Sequence, residues 1–412
     1  MPWRCAISRF FTAVPWKFVL LLFVLGIFLR VPVFFDHHDE GDEVIYTFLV
    51  EQLEQGKGYT LQGTDLIEYG ILDKQQYGRK LFFHPPGGVG LFWLSDSIFG
   101  SNGFPMAQMF SYSLFFGSMV VAAYLLGVPP LGIIAAGLLS AFNPIIVHVN
   151  THYWLDGPLV AFSAFSLSVF IWAANKRSYL LAVAAGFILG CASLIKITAF
   201  LVVPGFVLLA WFLLTRPRLK DFIILSACFF VTAVAVQLPW EIWQWKVLGT
   251  PFPGWAGKPS QALIESNQYV RYLTVVRSPW LYLTLLPKVM WTIVPALILY
   301  AVTLNDRKAR GLGAAFILLI ATVLVFHIVL GAQGYSKVLR YVILAAPPAI
   351  LLFSMSVPLV LKRFREGSPK ARAIYGALLV ISAIAVALEA AAGIKSTILY
   401  AIDLIFPLFG GL

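Results

Sequence analysis

Charged residues are scarce in this chain. Asp, Glu, Lys and Arg make up 12% of its 412 residues, against about 25% in soluble globular domains. With 60% hydrophobic residues and a mean hydropathy of +0.84, that scarcity excludes a water-soluble domain and leaves an integral membrane protein. Cysteine is scarcer still. Cys5, Cys191 and Cys228 lie in or beside apolar segments without CxxC spacing, so neither a zinc site nor a disulfide framework is indicated and packing explains them. There is no P-loop or dinucleotide fingerprint, no low-complexity segment, no convincing internal repeat and no long soluble tail. One membrane domain over 1–412, without a separate soluble domain, accounts for the whole sequence.

What is present is a series of apolar runs. Stretches of spanning length lie near 18–35, 106–126, 130–148, 157–174, 179–195, 198–215, 222–239, 281–304, 312–331, 342–361 and 373–393, with a weaker one at 396–409. The expectation is an all-α polytopic membrane protein with about eleven or twelve transmembrane helices. Arg4 and Arg9 before the first run resemble a signal peptide, but 18–35 is long enough to span and no A-x-A site follows, so a retained first helix is expected.

The net charge of +11 reads as topology rather than as affinity for nucleic acid, because the basic residues fall in short clusters between apolar runs. With a cytoplasmic N-terminus, Arg4/Arg9/Lys17, Lys176/Arg177, Arg216/Arg218/Lys220, Arg307/Lys308/Arg310 and Lys362/Arg363/Arg365/Lys370/Arg372 all fall on one side. Only Asp221, Asp306 and Glu366 of the 19 carboxylates share those connections. The outer face is therefore the acidic one, and it carries two long loops, 36–105 and 240–280, while the cytoplasmic connections are short. Long loops in compact folds usually carry function.

The first outer loop opens on Asp36-His37-His38-Asp39-Glu40-Gly41-Asp42-Glu43, the densest ionisable cluster in the chain. Carboxylates at the edge of a bilayer must be solvated, paired or metal-bound. The following segment to Glu54 sets Val44, Phe48 and Leu53 at helical spacing, which suits a helix lying in the interface. Asp42 and Tyr46, four apart, share a face of it. A carboxylate there could accept a proton from an incoming hydroxyl or amine, although acids are also favoured at any helix N-terminus. Asp39, Glu40 and His38, with His37, could chelate a divalent cation, but adjacent residues rarely converge on one ion. No other cofactor is indicated. His84-Pro85-Pro86-Gly87-Gly88 ends the loop and starts an apolar helix. The second outer loop carries Trp240, Trp243, Trp245, Trp255 and Trp280, which headgroup-level placement explains.

Three further positions reach the same face. Asp156, in Asp156-Gly157-Pro158 at the end of the third run, can meet Asp42 at one membrane-level pocket or serve as a helix cap. Lys196 stands between two apolar runs, and Arg340-Tyr341 at the end of another. Each basic side chain could snorkel or pair with a phosphate. Carboxylates and cations converging at one face suit a substrate that carries both a phosphate and a nucleophile. Glu389 and His327, inside helices, read as satisfied core groups.

The order of these signals resembles a known family. A first helix, then Asp42-Glu43-x-x-Tyr46 with Gly56-Lys57-Gly58-Tyr59, His84-Pro85-Pro86, Asp156-Gly157-Pro158, Leu194-x-Lys196, Ser278-Pro279-Trp280-x-Tyr282-x-x-x-Leu286-Pro287 and Arg340-Tyr341 before Pro347 is similar to the C-type membrane glycosyltransferases. Within them the likeness is to the branch with protein O-mannosyltransferases and aminoarabinose transferases, over 18 to about 350. The chain departs from the pattern at His84, where the aminoarabinose transferases usually carry lysine, and lacks the C-terminal soluble domain of many relatives. The resemblance implies a polyprenyl-phosphate sugar donor in the outer leaflet of the plasma (inner) membrane. Its sugar would pass with inversion to an acceptor hydroxyl on a protein, lipid or glycan at the periplasmic or exterior face. In that reading Asp42 is the base, and Glu43 and Asp156 orient the acceptor or a cation. Lys196 and Arg340 stabilise the leaving phosphate, with His84, Tyr46 and Tyr341 in the substrate site. The rival class is a multi-helix transporter or flippase, against which the ionisable residues gather at one face rather than at the bilayer midplane.

Overall fold

The computed structural model describes residues 10–35, 42–68, 72, 77–82, 84–214, 219–249, 265 and 271–409, and no strand occurs among them. The acidic run 36–41, with Asp39, Glu40, His37 and His38, lies outside the described residues, as do Arg4, Arg9, Arg216, Arg218 and Trp255.

The chain opens with α1 (Trp16–Phe28), which tightens into a 3-10 turn at Val31–Phe35. An interfacial helix follows where the spacing predicts one, α2 (Asp42–Glu54). The loop then leads into α3 (Gly87–Phe99) and α4 (Gly103–Leu125). α5 (Pro130–Phe142) and α6 (Pro144–Asn150) each begin on a proline, whose missing N–H costs nothing in a first turn. Next come α7 (Asp156–Lys176), α8 (Tyr179–Ile195), a 3-10 segment at Ile197–Val202 and α9 (Val203–Leu213). The long α10 (Leu219–Leu248) is followed by α11 (Leu281–Val289), α12 (Ile293–Thr303) and α13 (Arg307–Ala332). A 3-10 segment at Leu339–Ala345 leads into α14 (Ala346–Glu366), and α15 (Pro369–Phe409) closes the described chain.

Among the described residues, seven helical segments are long and apolar enough to cross a membrane, and nine if two bent pairs count as one span each. Four of the expected apolar runs lie outside those seven because they are bent or short. α5 and α6 meet at 47°, α11 and α12 at 90°, and the 179–195 and 198–215 runs form shorter helices. The weak run at 396–409 is no separate span, since it continues α15. Packing is layered around α7 and α14, whose most apolar windows are 78% and 83% buried, against 22% for those of α10 and α15. α7 packs on α4 and α8, α8 on α10, α9 on α13, and α14 on α5 and α12. The outward faces of α8, α10 and α15 expose Leu180, Phe187, Val231 and Ile381, as a lipid-facing surface requires.

Two helix breaks are closed by one side chain. Glu389 of α15, fully buried, accepts from Asn143 Nδ2 at 2.6 Å, and from Thr292 N and Oγ1 at 2.8 and 2.7 Å. Asn143 separates α5 from α6 and Thr292 separates α11 from α12, so Glu389 satisfies polar groups that the bends release. The satisfied core role read for Glu389 from its place in a helix matches this geometry.

The direction of each helix gives the bundle two unlike ends. Lys176, Lys220, Arg307, Arg310, Arg363 and Arg365 cluster at one, and Asp42, Asp156, Lys196 and Arg340 at the other.

Candidate active site

Each ionisable group at the acidic end sits at an interruption in helical structure. Asp42 starts α2 and Asp156 occupies the first turn of α7, where the positive end of the helix dipole favours a carboxylate. Lys196 follows the last residue of α8 with extended backbone angles, φ −147° and ψ 131°, which swings its side chain out of the helical register. Arg340 lies in the 3-10 segment before α14. Gly87 lets the His84-Pro85-Pro86 turn press onto this region, because a Cβ there would lie 2.8 Å from the Leu194 carbonyl oxygen.

Four charges interlock. Lys196 Nζ donates to both Asp156 oxygens, at 2.8 and 2.9 Å. Arg340 Nη2 donates to Asp42 Oδ2, and its Nε lies 3.7 Å from Asp156 Oδ2. Two carboxylates are thus balanced by two cations within one network, with Arg340 shared between them. The carboxylates are not equivalent: the Asp156 side chain is 2% exposed and that of Asp42 is 37% exposed. A reactant arriving from outside the network therefore meets Asp42 first. Partial loss of water works against the Asp42 charge, but Arg340 first and then Lys196 outweigh it and hold the carboxyl below its ordinary range.

Aromatic and neutral groups frame the quartet. The Arg340 guanidinium carbon lies 4.1 Å from the Trp154 ring centroid and 6.0 Å from that of Tyr341, and Lys196 Nζ lies 5.6 Å from the latter. Tyr46 is buried on α2, and burial followed by the Asp42 charge pushes its hydroxyl well above the usual phenol range. His84 lies within the field of all four charges. Burial first, then Lys196, lowers it to about 4, so it is a neutral imidazole at neutral pH.

The structure thus brings together Asp42, Tyr46, His84, Asp156, Lys196, Arg340 and Tyr341. Glu43 takes a different place. It is buried, and its Oε1 accepts from the Tyr153 backbone N–H at 2.9 Å. It ties α2 to the 151–155 turn and so aligns Asp42 with Asp156. Neighbouring residues on α2 point about 100° apart, and here Asp42 turns to Arg340 while Glu43 turns to the Tyr153 N–H. Asp39, Glu40 and His38 fall outside the described residues. Among the described ones no three His, Cys, Asp or Glu side chains group as metal ligands.

Trp154 is a site residue that sequence reasoning missed. Its backbone oxygen accepts from Gln108 Nε2 at 2.9 Å, and its ring stacks on His152 at 4.3 Å, which in turn meets Tyr400 at 4.5 Å. A lone tryptophan beside two histidines in the His148–Asp156 stretch was the available signal. His327 also lies against the site, with its ring 5.8 Å from that of Tyr341. The satisfied core role read for it from the sequence is met only in part, since its Nε2 has no hydrogen-bond partner among the described residues.

Residues 83–243 match the dolichyl-phosphate-mannose-protein mannosyltransferase family. The described chain superposes on ArnT of Cupriavidus metallidurans bound to undecaprenyl phosphate with a TM-score of 0.63 at 17% identity, covering 94% of this chain and 77% of that one. The two proteins share a fold. A second likeness is to the oligosaccharyltransferase AglB of Archaeoglobus fulgidus in complex with an inhibitory peptide and a dolichol-phosphate. Its TM-score is 0.54 at 11% identity, over 92% of this chain and 55% of that one. No curated protein matches by sequence. The matched segment contains His84, Asp156 and Lys196, whereas Asp42 and Arg340 enter the site from outside it. The quartet therefore joins that segment to the rest of the bundle.

Proposed function

We propose that this chain is a membrane glycosyltransferase that moves a sugar from a polyprenyl-phosphate donor to an acceptor hydroxyl, with inversion. The observation that carries the reading is the Asp42, Arg340, Asp156, Lys196 quartet at one end of the bundle, where donor phosphate and acceptor can both reach. The ArnT and AglB structures that share the fold hold undecaprenyl phosphate and dolichol-phosphate respectively, which supports a lipid-phosphate donor. The basic opposite end supports a plasma membrane location with the site on the periplasmic or exterior face. Charges gathered at one end suit an enzyme better than a carrier, whose sites lie near the midplane.

The chemistry follows from the ion pairs. The acceptor oxygen attacks the anomeric carbon while Asp42 takes the hydroxyl proton. The bond from the anomeric carbon to the phosphate oxygen breaks, and the polyprenyl phosphate leaves with the electron pair. Lys196 and Arg340 stabilise that developing charge. Both cations are already paired, so the donor phosphate does not meet free charges. It draws Arg340 from Asp42, and Asp42, losing the partner that holds its proton affinity down, becomes a stronger base as the donor seats. Donor binding and base activation are in this way one event. Asp156, locked by Lys196, keeps the remaining charges in place.

Purified protein in nanodiscs, offered a panel of polyprenyl-phosphate sugars, tests the reading through release of free polyprenyl phosphate, which reports donor use whatever the acceptor. Wild type is expected to release it, and the Lys196→Ala, Arg340→Ala double variant to bind the donor far more weakly. Equal donor binding by the two proteins would overturn the phosphate assignment.

A further inference from the structure

The inward face of α10 changes character along its length. At Leu225, Phe229 and Ala233 it is apolar and buried. One turn later the positions i, i+3, i+4 and i+7 are Gln237, Trp240, Glu241 and Gln244, and Gln237, Trp240 and Gln244 are buried. Headgroup-level placement does not explain Trp240: it is 5% exposed, while Trp243, Trp245 and Trp280 are 49%, 58% and 59% exposed. A buried polar stripe on a helix whose other faces meet lipid needs partners.

Part of the stripe has them. The Ser193 hydroxyl of α8 lies 2.9 Å from Gln237 Oε1, and Gln237 Nε2 donates to Glu241 Oε1 at 2.7 Å. The Trp240 indole N–H and Glu241 Oε2 are buried atoms with no hydrogen-bond partner among the described residues, a state uncommon in native interiors. One is a donor and the other a charged acceptor. The stripe adjoins the quartet from two directions. Ser193 stands three residues before Lys196 on the same helix. The Tyr59 ring meets the Trp240 indole edge-on at 5.9 Å, and its hydroxyl donates to the Pro85 carbonyl, next to His84.

We infer that this stripe recognises the glycosyl ring of the donor: the Trp240 N–H and Glu241 Oε2 bond its hydroxyl groups while the phosphate lies at Lys196 and Arg340. The inference rests on the donor reading proposed above. A hydroxyl both donates and accepts, so it matches an unpaired donor and acceptor on one helix face. A phosphate would be repelled by Glu241, and a polyprenyl chain has nothing to bond. An indole also offers its negative π face to the C–H groups of a sugar. A pocket built to bond a hydroxyl discriminates strongly against a ligand that lacks it, so Trp240 and Glu241 are specificity-determining residues.

Binding measured in nanodiscs separates sugar from phosphate. The probes are bare polyprenyl phosphate and polyprenyl phosphates carrying mannose, glucose, galactose or 4-aminoarabinose. Wild type is expected to prefer at least one glycosylated lipid over the bare one. Trp240→Phe and Glu241→Gln should bind the bare lipid within about twofold of wild type and lose about tenfold or more for the preferred sugar, as loss of one hydrogen bond predicts. Retention of the full sugar preference by both variants would overturn the assignment, as would equal losses for bare and glycosylated lipid. If Trp240→Phe does not fold, the isosteric Glu241→Gln decides by the same criterion. Wild type that binds bare lipid but prefers no sugar-bearing one removes the stripe and leaves the phosphate site standing. Wild type that binds neither form removes the donor reading, and the stripe with it.

Discussion

Asp156 and Glu389 are both buried carboxylates on long helices of this bundle, yet their partners differ in kind. Glu389 is met by neutral donors from Asn143 and Thr292 at two helix breaks. Asp156 is met by the cations of Lys196 and Arg340. Neutral donors satisfy a carboxylate and end the matter, fixing three chain segments in place. Cations can be shared, and Arg340 also holds the more exposed Asp42, so an incoming anion can redistribute the pairing. The same functional group thus serves architecture in one place and, in the proposed reaction, chemistry in the other. Substitution of Asp42, which shares that arginine, should therefore fail in turnover, and substitution of the buried Asp156 or Glu389 in stability.

The largest effect is expected from Asp42→Asn. Loss of a positioned base costs about a hundred to ten thousand fold in rate. The amide keeps size and a hydrogen-bond acceptor for Arg340, so insertion and donor binding should survive. Near-wild-type turnover would remove Asp42 from the role of base.

Asp156→Asn should act chiefly on stability, because it leaves Lys196 and Arg340 without their buried counter-charge. Breaking one partner of a buried pair typically costs about 3–5 kcal/mol. Denaturant midpoints in mixed micelles should fall accordingly, and Asp156→Asn combined with Lys196→Gln should recover part of the loss. No recovery in the double variant would mean that the pair is not the source of the cost.

On the architectural side, Glu389→Leu strands the Thr292 N–H and two side-chain donors at once, each unsatisfied group costing about 1–3 kcal/mol. Glu389→Gln retains an acceptor and should lose less than Glu389→Leu. Both should leave turnover per folded molecule unchanged. A drop in turnover without a drop in stability would show that Glu389 belongs to the chemistry after all.

The two clusters were not equally legible in the sequence. Ionisable residues are so costly in an apolar chain that Asp42, Asp156, Lys196 and Arg340 stand out by position alone, and alternation of the spans puts them on one face. What alternation does not reveal is pairing. Nothing in the sequence says that Lys196 and Arg340 are already held by carboxylates, or that Glu43 turns away to Tyr153 while its neighbour faces the site. The break in one span was hidden for a related reason. Hydropathy registers a 90° break inside an apolar run, such as that between α11 and α12, as continuity. The polar residues that compensate the break, Thr292 and Glu389, lie 97 positions apart. Trp240 was hidden by a sound generalisation, since indoles in outer loops usually do mark headgroups.

The smallest and most diagnostic effect concerns pH. Arg340 holds Asp42 below the ordinary carboxylate range in the free protein. If the donor phosphate takes Arg340, Asp42 in the complex loses that restraint and its proton affinity rises. The acid limb of kcat/KM reports the free enzyme and that of kcat the donor complex. The kcat limb is therefore expected at the higher pH, with activity lost sooner on acidification when the donor is saturating. Arg340→Lys keeps the charge but not the two-pronged geometry, so it should bring the limbs together. His84, at about 4, is a second group that could titrate in this window. Its protonation would be opposed by the nearby cations and favoured by a bound phosphate, so His84→Gln provides the control. Separation that persists in His84→Gln and shrinks in Arg340→Lys assigns the coupling to the shared arginine. Coincident limbs in wild type would mean that Asp42 keeps its partner throughout, and that the quartet positions the donor without activating the base.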